Sequence, residues 1–159
     1  MRFPRLCPAV AVLAAAGCSV DELRTGPGLM EPGVDLAADP PVAPAAAAVG
    51  SVLEYELRLR NRGTEAAGEG WYVRVYLSED AVLGPGDMLV DQFVARRAVN
   101  PGAADSYARG FKIPASVPPG TYHLISELDA TGLIDEPVED NNTAASPGRT
   151  RITAPDTGV

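Results

Sequence analysis

The chain is poor in cysteine, histidine and positive charge. Two cysteines and one histidine stand among 159 residues. Neither a disulfide scaffold nor a Cys/His zinc site can organise such a chain. Lys and Arg total 13 against 21 Asp and Glu, a net charge of -8. A nucleic-acid binder needs basic patches to neutralise phosphates, so that class is excluded. Lysine occurs once, at Lys112. No phosphate-cradling loop is present: GPGD at Gly84 to Asp87 is a turn with no lysine after it. Convincing amphipathic helices are also missing. Gly 16 and Pro 15 interrupt the chain too often for a helical bundle and suit short strands joined by turns. Apolar residues are 46% and charged residues 21%, so the chain is not compositionally disordered.

A long apolar run is lacking too. The apolar stretch Leu6 to Ala16 is shorter than the ~20 residues a spanning helix requires. It follows a basic start at Arg2 and Arg5 and closes on LAAAGC, ending at Cys18. This resembles a bacterial lipobox, in which the signal is cut before the cysteine and the cysteine is lipidated. Ala16 and Gly17 match the small residues preferred there; Ala15 stands where leucine is commoner. Segment 1–17 is then a lipoprotein-type signal peptide and Cys18 the lipidation site, which makes the membrane a partner through an N-terminal lipid. The alternative is an ordinary secretory signal cut at the Ala-rich stretch, with Cys18 incidental. Cys7 leaves with the signal in either case. Ser19 is not the aspartate that retains lipoproteins at the inner membrane, so the resemblance favours the outer membrane where a bacterium has two. Residues 18–32 carry polar residues, Gly and Pro without a period and read as a tether. Residues 155–159 read as a tail.

From residue 33 to 154 the sequence predicts one all-β domain, an immunoglobulin-like antiparallel sandwich of about seven strands. In SVLEYELRLRN, Leu53, Tyr55, Leu57 and Leu59 alternate with charged residues, the mark of a half-buried strand. In GWYVRVYLS, Trp71, Val73, Val75 and Leu77 share the core face, with Tyr72, Arg74 and Tyr76 opposite. Further strands are expected at Val34–Ala38, Met88–Val94, Tyr107–Ile113, Thr121–Asp129 and Arg149–Thr153. DPPVAPAAAA, from Asp39 to Ala48, reads as an extended edge segment or loop.

With the strands placed, four segments in order carry a family resemblance. They are VDLAA at Val34 to Ala38, LRNRGTEAA with Asn61 and Gly63, VYLSEDAVLGPGD at Val75 to Asp87, and the run from Ile113 to Asn142 that closes on an Asn-Asn turn. Together they resemble CARDB, the cell-adhesion-related domain of bacteria. The resemblance implies an Ig-like sandwich acting at the cell surface. Each segment also has a local reading: Gly63 can take a tight turn, and Asn61, Asn141 and Asn142 can cap turns.

Two groups of residues are candidates for chemistry. Asp129, Asp135, Glu136, Glu139, Asp140, Asn141 and Asn142 form one acidic loop; Glu79, Asp80 and Asp87 form another. If both loops met at one end of the sandwich, Asp80, Asp87, Asp129, Asp135, Glu136, Glu139 and Asn141 would offer oxygen ligands for Ca2+. No EF-hand pattern is present, and Asx-turns on a solvated acidic rim are the competing reading. Tyr72, Arg74 and Tyr76 are the second group, a protein- or glycan-binding patch or cross-strand packing. Enzyme chemistry is not expected. His123 is the sole imidazole and reads as a surface residue, and Ser126, three residues on, points to the opposite face of a strand. The expected function is therefore a non-catalytic envelope lipoprotein that binds, adheres or builds structure, with an envelope protein or a glycan as partner. The alternative is a calcium- or carbohydrate-binding accessory domain of an exported system.

Overall fold

The computed structural model describes residues 33–155. The signal peptide, Cys18, the 18–32 tether and most of the tail lie outside the described residues. Nine strands follow in order: β1 Leu36–Ala38, β2 Ala46–Ala48, β3 Val52–Asn61, β4 Tyr72–Ser78, β5 Met88–Val94, β6 Ala104–Lys112, β7 Gly120–Glu127, β8 Thr143–Ala145 and β9 Thr150–Thr153. Among the described residues there is no helix. One sheet has three strands in the order β1-β3-β6. The other runs β2-β9-β7-β4-β5, with β8 also pairing with β7. All pairings are antiparallel except β2 with β9. The expected β-sandwich class is correct.

Period-two alternation produces the core. Leu53, Tyr55, Leu57 and Leu59 of β3 are all buried, while Glu54, Glu56, Arg58 and Arg60 between them are exposed. On β4, Val73, Val75 and Leu77 face them from the other sheet, and Trp71 just before the strand is fully buried. Tyr122, Leu124 and Leu128 complete the layer. Each such side chain contributes about 1.5–3 kcal/mol by leaving water. Trp71 also donates Nε1–H to the carbonyl of Gly68 at 2.9 Å, so its polar atom is not stranded in the core.

Of the two readings of Asp39 to Ala48, the extended edge segment holds for Ala46–Ala48, a strand at the sheet edge where the chain switches sheets and pairs alongside β9. The departures from expectation fall where side chains carry no period. Thr143–Ala145 is a strand that the sequence reading did not include, formed by pairing with Ile125 to Glu127 of β7. β6 begins at Ala104, three residues before the expected Tyr107, because its small first residues pair with Leu59 and Arg60 of β3. β7 ends at Glu127, since Asp129 turns the chain with φ 41.

Candidate functional site

β4 and β7 pair from Arg74 opposite Glu127 to Ser78 opposite His123. The loop after Ser78 therefore leaves one end of the sandwich, and the loop after Glu127 leaves the other. Four residue steps along the ladder, about 13 Å at 3.3 Å each, already separate them. Asp80 and Asp87 lie at one end; Asp129, Asp135, Glu136, Glu139 and Asn141 lie at the other. The premise that both acidic loops meet is thus corrected by the strand register. Among the described residues, no group of three or more His, Cys, Asp or Glu is placed to hold a metal ion.

Asp80, Asp87, Asp129 and Glu139 are engaged in local turn bonds. Asp80 accepts the amide of Val82 at 2.8 Å, and Asp87 accepts that of Gly84 at 2.8 Å. Asp129 accepts the amides of Leu133 and Ile134 at 3.0 and 2.7 Å, which holds its left-handed turn. Glu136 is 7% exposed. It accepts the amide of Leu36 on β1 and Nδ2–H of Asn142 at 3.0 Å. Burial pushes its carboxyl above the ordinary range, against the pull of those two donors. Glu139 accepts the amide of Glu136. Asp135 is exposed.

Three of the four resemblance segments converge on this end. Asn61 is 1% exposed. Its Oδ1 accepts the amides of Asp35 at 3.3 Å and Gly63 at 3.0 Å. Its Nδ2 donates to the carbonyls of Glu65 at 2.7 Å and Val99 at 2.8 Å. Asp35, beside it, accepts Nδ2–H of Asn141 at 2.6 Å. Gly63 does not take the positive φ expected of a tight turn; glycine is needed there because a Cβ would lie 2.1 Å from the carbonyl oxygen of Gly33. The Asp-Leu opening, the Asn-x-Gly turn and the Asn-Asn turn thus form one buried clasp between β1, β3 and the β7–β8 loop. Asn61 is spent on backbone groups, while Asp35 and Glu136 also accept the side-chain amides of Asn141 and Asn142.

The outer face of β4 is different. Tyr72 is 36% exposed and stands opposite Val94 of β5. Tyr76, partly buried, donates its hydroxyl to Glu127 at 2.7 Å. Burial and that carboxylate push its phenol upward. Arg74 donates Nε–H to Gln92 at 2.9 Å and a guanidinium N–H to the carbonyl of Ala130 at 3.3 Å. Leu89, opposite Tyr76, is 51% exposed. On the far side of Tyr76 from Leu89, a shallow recess is lined by Ala81, Val82, Leu83, Ile125, Thr143 and Ala145. Val82 at its rim is 74% exposed. Exposed apolar surface and oriented polar groups thus share one sheet face. The sequence reading named Tyr72, Arg74 and Tyr76 but not Leu89, Gln92, Glu127 or Val82. The alternation of β5 and β7 carried a signal for Leu89, Gln92 and Glu127; Val82 lies in a loop with no period.

His123 and Ser126 do not meet. His123 Nδ1 lies 2.9 Å from the carbonyl of Ser146, and its Nε2 accepts from Arg149 at 3.1 Å. Ser126 is fully buried and donates to the carbonyl of Ala144 at 3.4 Å. His123 is half-buried against Ser146 rather than freely exposed. No nucleophile–base pair results.

The order of these segments along two facing sheets has known counterparts, and the family model for CARDB matches residues 33–146. The chain belongs to the CARDB family. Its fold is similar to the CARDB domain of a Pyrococcus furiosus protein in complex with di-metal ions. That likeness has 19% identity and a TM-score of 0.58, covering 79% of this chain and 94% of that one. It is also similar to a domain of a Methanosarcina acetivorans protein described as a cell surface protein, at 15% identity and a TM-score of 0.55, covering 78% and 94%. A β-glucosidase from Erythrobacter marinus matches at 16% identity and a TM-score of 0.53, covering 76% of this chain but only 16% of that one. The CARDB-like fold there is a small part of a large enzyme. Among curated proteins none matches the chain. CARDB is a non-catalytic type of domain, and a binding or structural role suits it.

Proposed function

We propose that this CARDB protein is an exported, lipid-anchored, non-catalytic module that binds a protein or glycan partner of the cell envelope. Export and anchoring rest on the basic start, the apolar stretch Leu6 to Ala16 and the small residues before Cys18. An anchor of two or more acyl chains holds a protein at a membrane far better than one, at about 0.8 kcal/mol per buried methylene. Binding rests on one observation: Tyr72, Leu89 and Val82 expose apolar surface beside Arg74, Gln92 and Glu127. Rigid aromatics flanked by polar groups held in cross-strand bonds make contact area with little entropy lost.

A calcium-bearing accessory role is the weaker reading. The Pyrococcus furiosus domain was seen with di-metal ions. Here the acids of the clasp accept amide donors, whose partial positive charge occupies the oxygens a cation would need. The donor set does not fit a metal.

The test is photo-crosslinking on isolated envelopes. A crosslinker at Tyr72 should capture a defined protein or glycan, and one at the exposed Glu65 of the β3–β4 loop should not. Equal capture from both positions overturns the assignment of the face. Palmitate incorporation that is lost in Cys18→Ala supports anchoring, and unlabelled wild-type protein refutes it.

A further inference from the structure

We propose that two copies of this chain pair edge to edge through β6, antiparallel about Ala108, to form one continuous six-stranded sheet. β6 is the last strand of the three-stranded sheet, and among the described residues no strand pairs with its outer edge. Asn61 donates its amide to Ala103, and Ile113 donates its amide to Ser51. Antiparallel ladders alternate, so Asp105, Tyr107, Arg109 and Phe111 bond to β3. The N–H and C=O groups of Ala104, Ser106, Ala108, Gly110 and Lys112 therefore point outward. All five of these residues are exposed.

Natural proteins guard such an edge with bulges, prolines or inward charges. β6 has no proline, its register with β3 runs unbroken over nine residue pairs, and its two inward charges, Asp105 and Arg109, are paired within the chain with Arg97 and Asp91. Of the other edge strands, β1, β2 and β8 are three residues long, and β5 is bulged in its pairing with β4. Lys112, the sole lysine of the chain, stands only at the last position of β6.

The edge is complementary to itself. Antiparallel pairing about Ala108 sets Ala108 against Ala108, Ser106 against Gly110, and Ala104 against Lys112. On this exposed face no bulky or like-charged pair meets across the seam; on the inner face Tyr107 meets Arg109 and Asp105 meets Phe111 of the second copy. The next residues outward are Glu54 beside Gly110 and Arg58 beside Ser106. One row across the interface then reads Glu54, Gly110, then Ser106 and Arg58 of the second copy, and the two-fold repeats it. Opposite charges thus flank a floor of small residues in these two rows, while Glu56 of each copy flanks the central Ala108 row. Glu54 already leans over that floor: a Cβ on Gly110 would meet its Cγ at 3.5 Å. The complementarity in charge and size is what selects a second copy over an unrelated strand.

The experiment is sedimentation of the full chain over a concentration series, with Cys7 and Cys18 replaced by serine. A reversible dimer is expected, and Ala108→Glu should weaken it at least about tenfold by crowding carboxylates at the axis beside Glu56 of each copy. Ala108 is exposed, so that variant should fold. Register is read by oxidation. Ala108→Cys should crosslink to itself, since hydrogen-bonded antiparallel pairs bring Cα atoms to about 5.5 Å, within disulfide reach. Ser106→Cys and Gly110→Cys should crosslink only when mixed with each other. A chain that stays monomeric to about 1 mM overturns the proposal. So does a dimer indifferent to Ala108→Glu, or an edge whose amides are protected in the monomer by another segment of the same chain.

Discussion

Truncating Asn61 to alanine tests whether the clasp, rather than the strands alone, holds β1 to the domain. The side chain makes four hydrogen bonds while 1% exposed. The Val99 carbonyl keeps the amide of Ala67 at 3.0 Å after truncation. Glu65 is exposed, so water can reach its carbonyl. The amides of Asp35 and Gly63 lose their acceptor in a buried place. An orphaned buried donor costs about 1–3 kcal/mol, so Asn61→Ala should cost about 4 kcal/mol. That is a large share of the 5–15 kcal/mol typical of a domain. At roughly 4 °C per kcal/mol for a domain of this size, Tm should fall by about 15 °C.

Asn61→Asp sharpens the test, because it keeps the shape and the acceptor. It places a carboxylate oxygen where Nδ2 now faces two carbonyls at 2.7 and 2.8 Å. At neutral pH it should be at least as damaging as alanine. On acidification the protonated acid regains one donor, so the gap to wild type should narrow. Thermal and urea unfolding of the three proteins at two pH values measure this. A fall in Tm of less than about 4 °C for Asn61→Ala, or a pH-independent gap for Asn61→Asp, refutes the reasoning.

Gly63→Ala should be as severe, since its Cβ would press on the Gly33 carbonyl and the amide of Asp35 at 2.1 and 2.7 Å; a folded variant within about 1 kcal/mol of wild type would show that the turn can move. Glu136→Gln should flatten part of the pH dependence of stability. Its carboxyl is raised by burial, so its contribution is complete below the unfolded pKa and is lost as pH rises through the folded one. The wild type should therefore gain on the variant as pH falls from neutral, and the reverse trend in differential scanning calorimetry would contradict the sign. Excess calcium against chelator should leave Tm unchanged; a site filled at a hundredfold its Kd would add about 2.7 kcal/mol, and a shift of that order would restore a metal site.

The core was legible because burial writes itself into alternation. Leu53 to Leu59 and Trp71 to Leu77 repeat every second residue, and all are buried. Ala46–Ala48 and Thr143–Ala145 carry no such pattern; they are strands only because β9 and β7 offer edges to pair with. Asp129 holds its turn through the amides of Leu133 and Ile134, yet no local rule places Glu136 against the amide of Leu36 a hundred residues earlier. The same limit applied to the two acidic loops. Their composition invited a shared site, and only the antiparallel register of β4 with β7 sends them to opposite ends. Which strand ends a sheet is likewise non-local. β6 is an edge because the segment between it and β5 spends its residues in the Ala67–Val99 bridge and the turn at Gly102 instead of in a further strand.

The two proposals bear on each other through symmetry. Identical antiparallel strands paired in one sheet are related by a two-fold axis perpendicular to that sheet. The three-stranded sheets of both copies would then face one side, and the Tyr72–Leu89 faces, carried by the opposite sheets, would both face the other. A β6 dimer is therefore bivalent toward a surface. Linked sites gain avidity of 10²–10⁴-fold without any new contact, provided both can engage together. Ala108→Glu leaves Tyr72, Arg74 and Leu89 untouched, since β6 belongs to the other sheet. It should lower retention on intact envelopes by at least about tenfold while leaving affinity for the solubilised partner at its wild-type value. Tyr72→Ala should lower both. If Ala108→Glu lowered both equally, the edge and the face would be one site, and the separation drawn from the two sheets would be wrong.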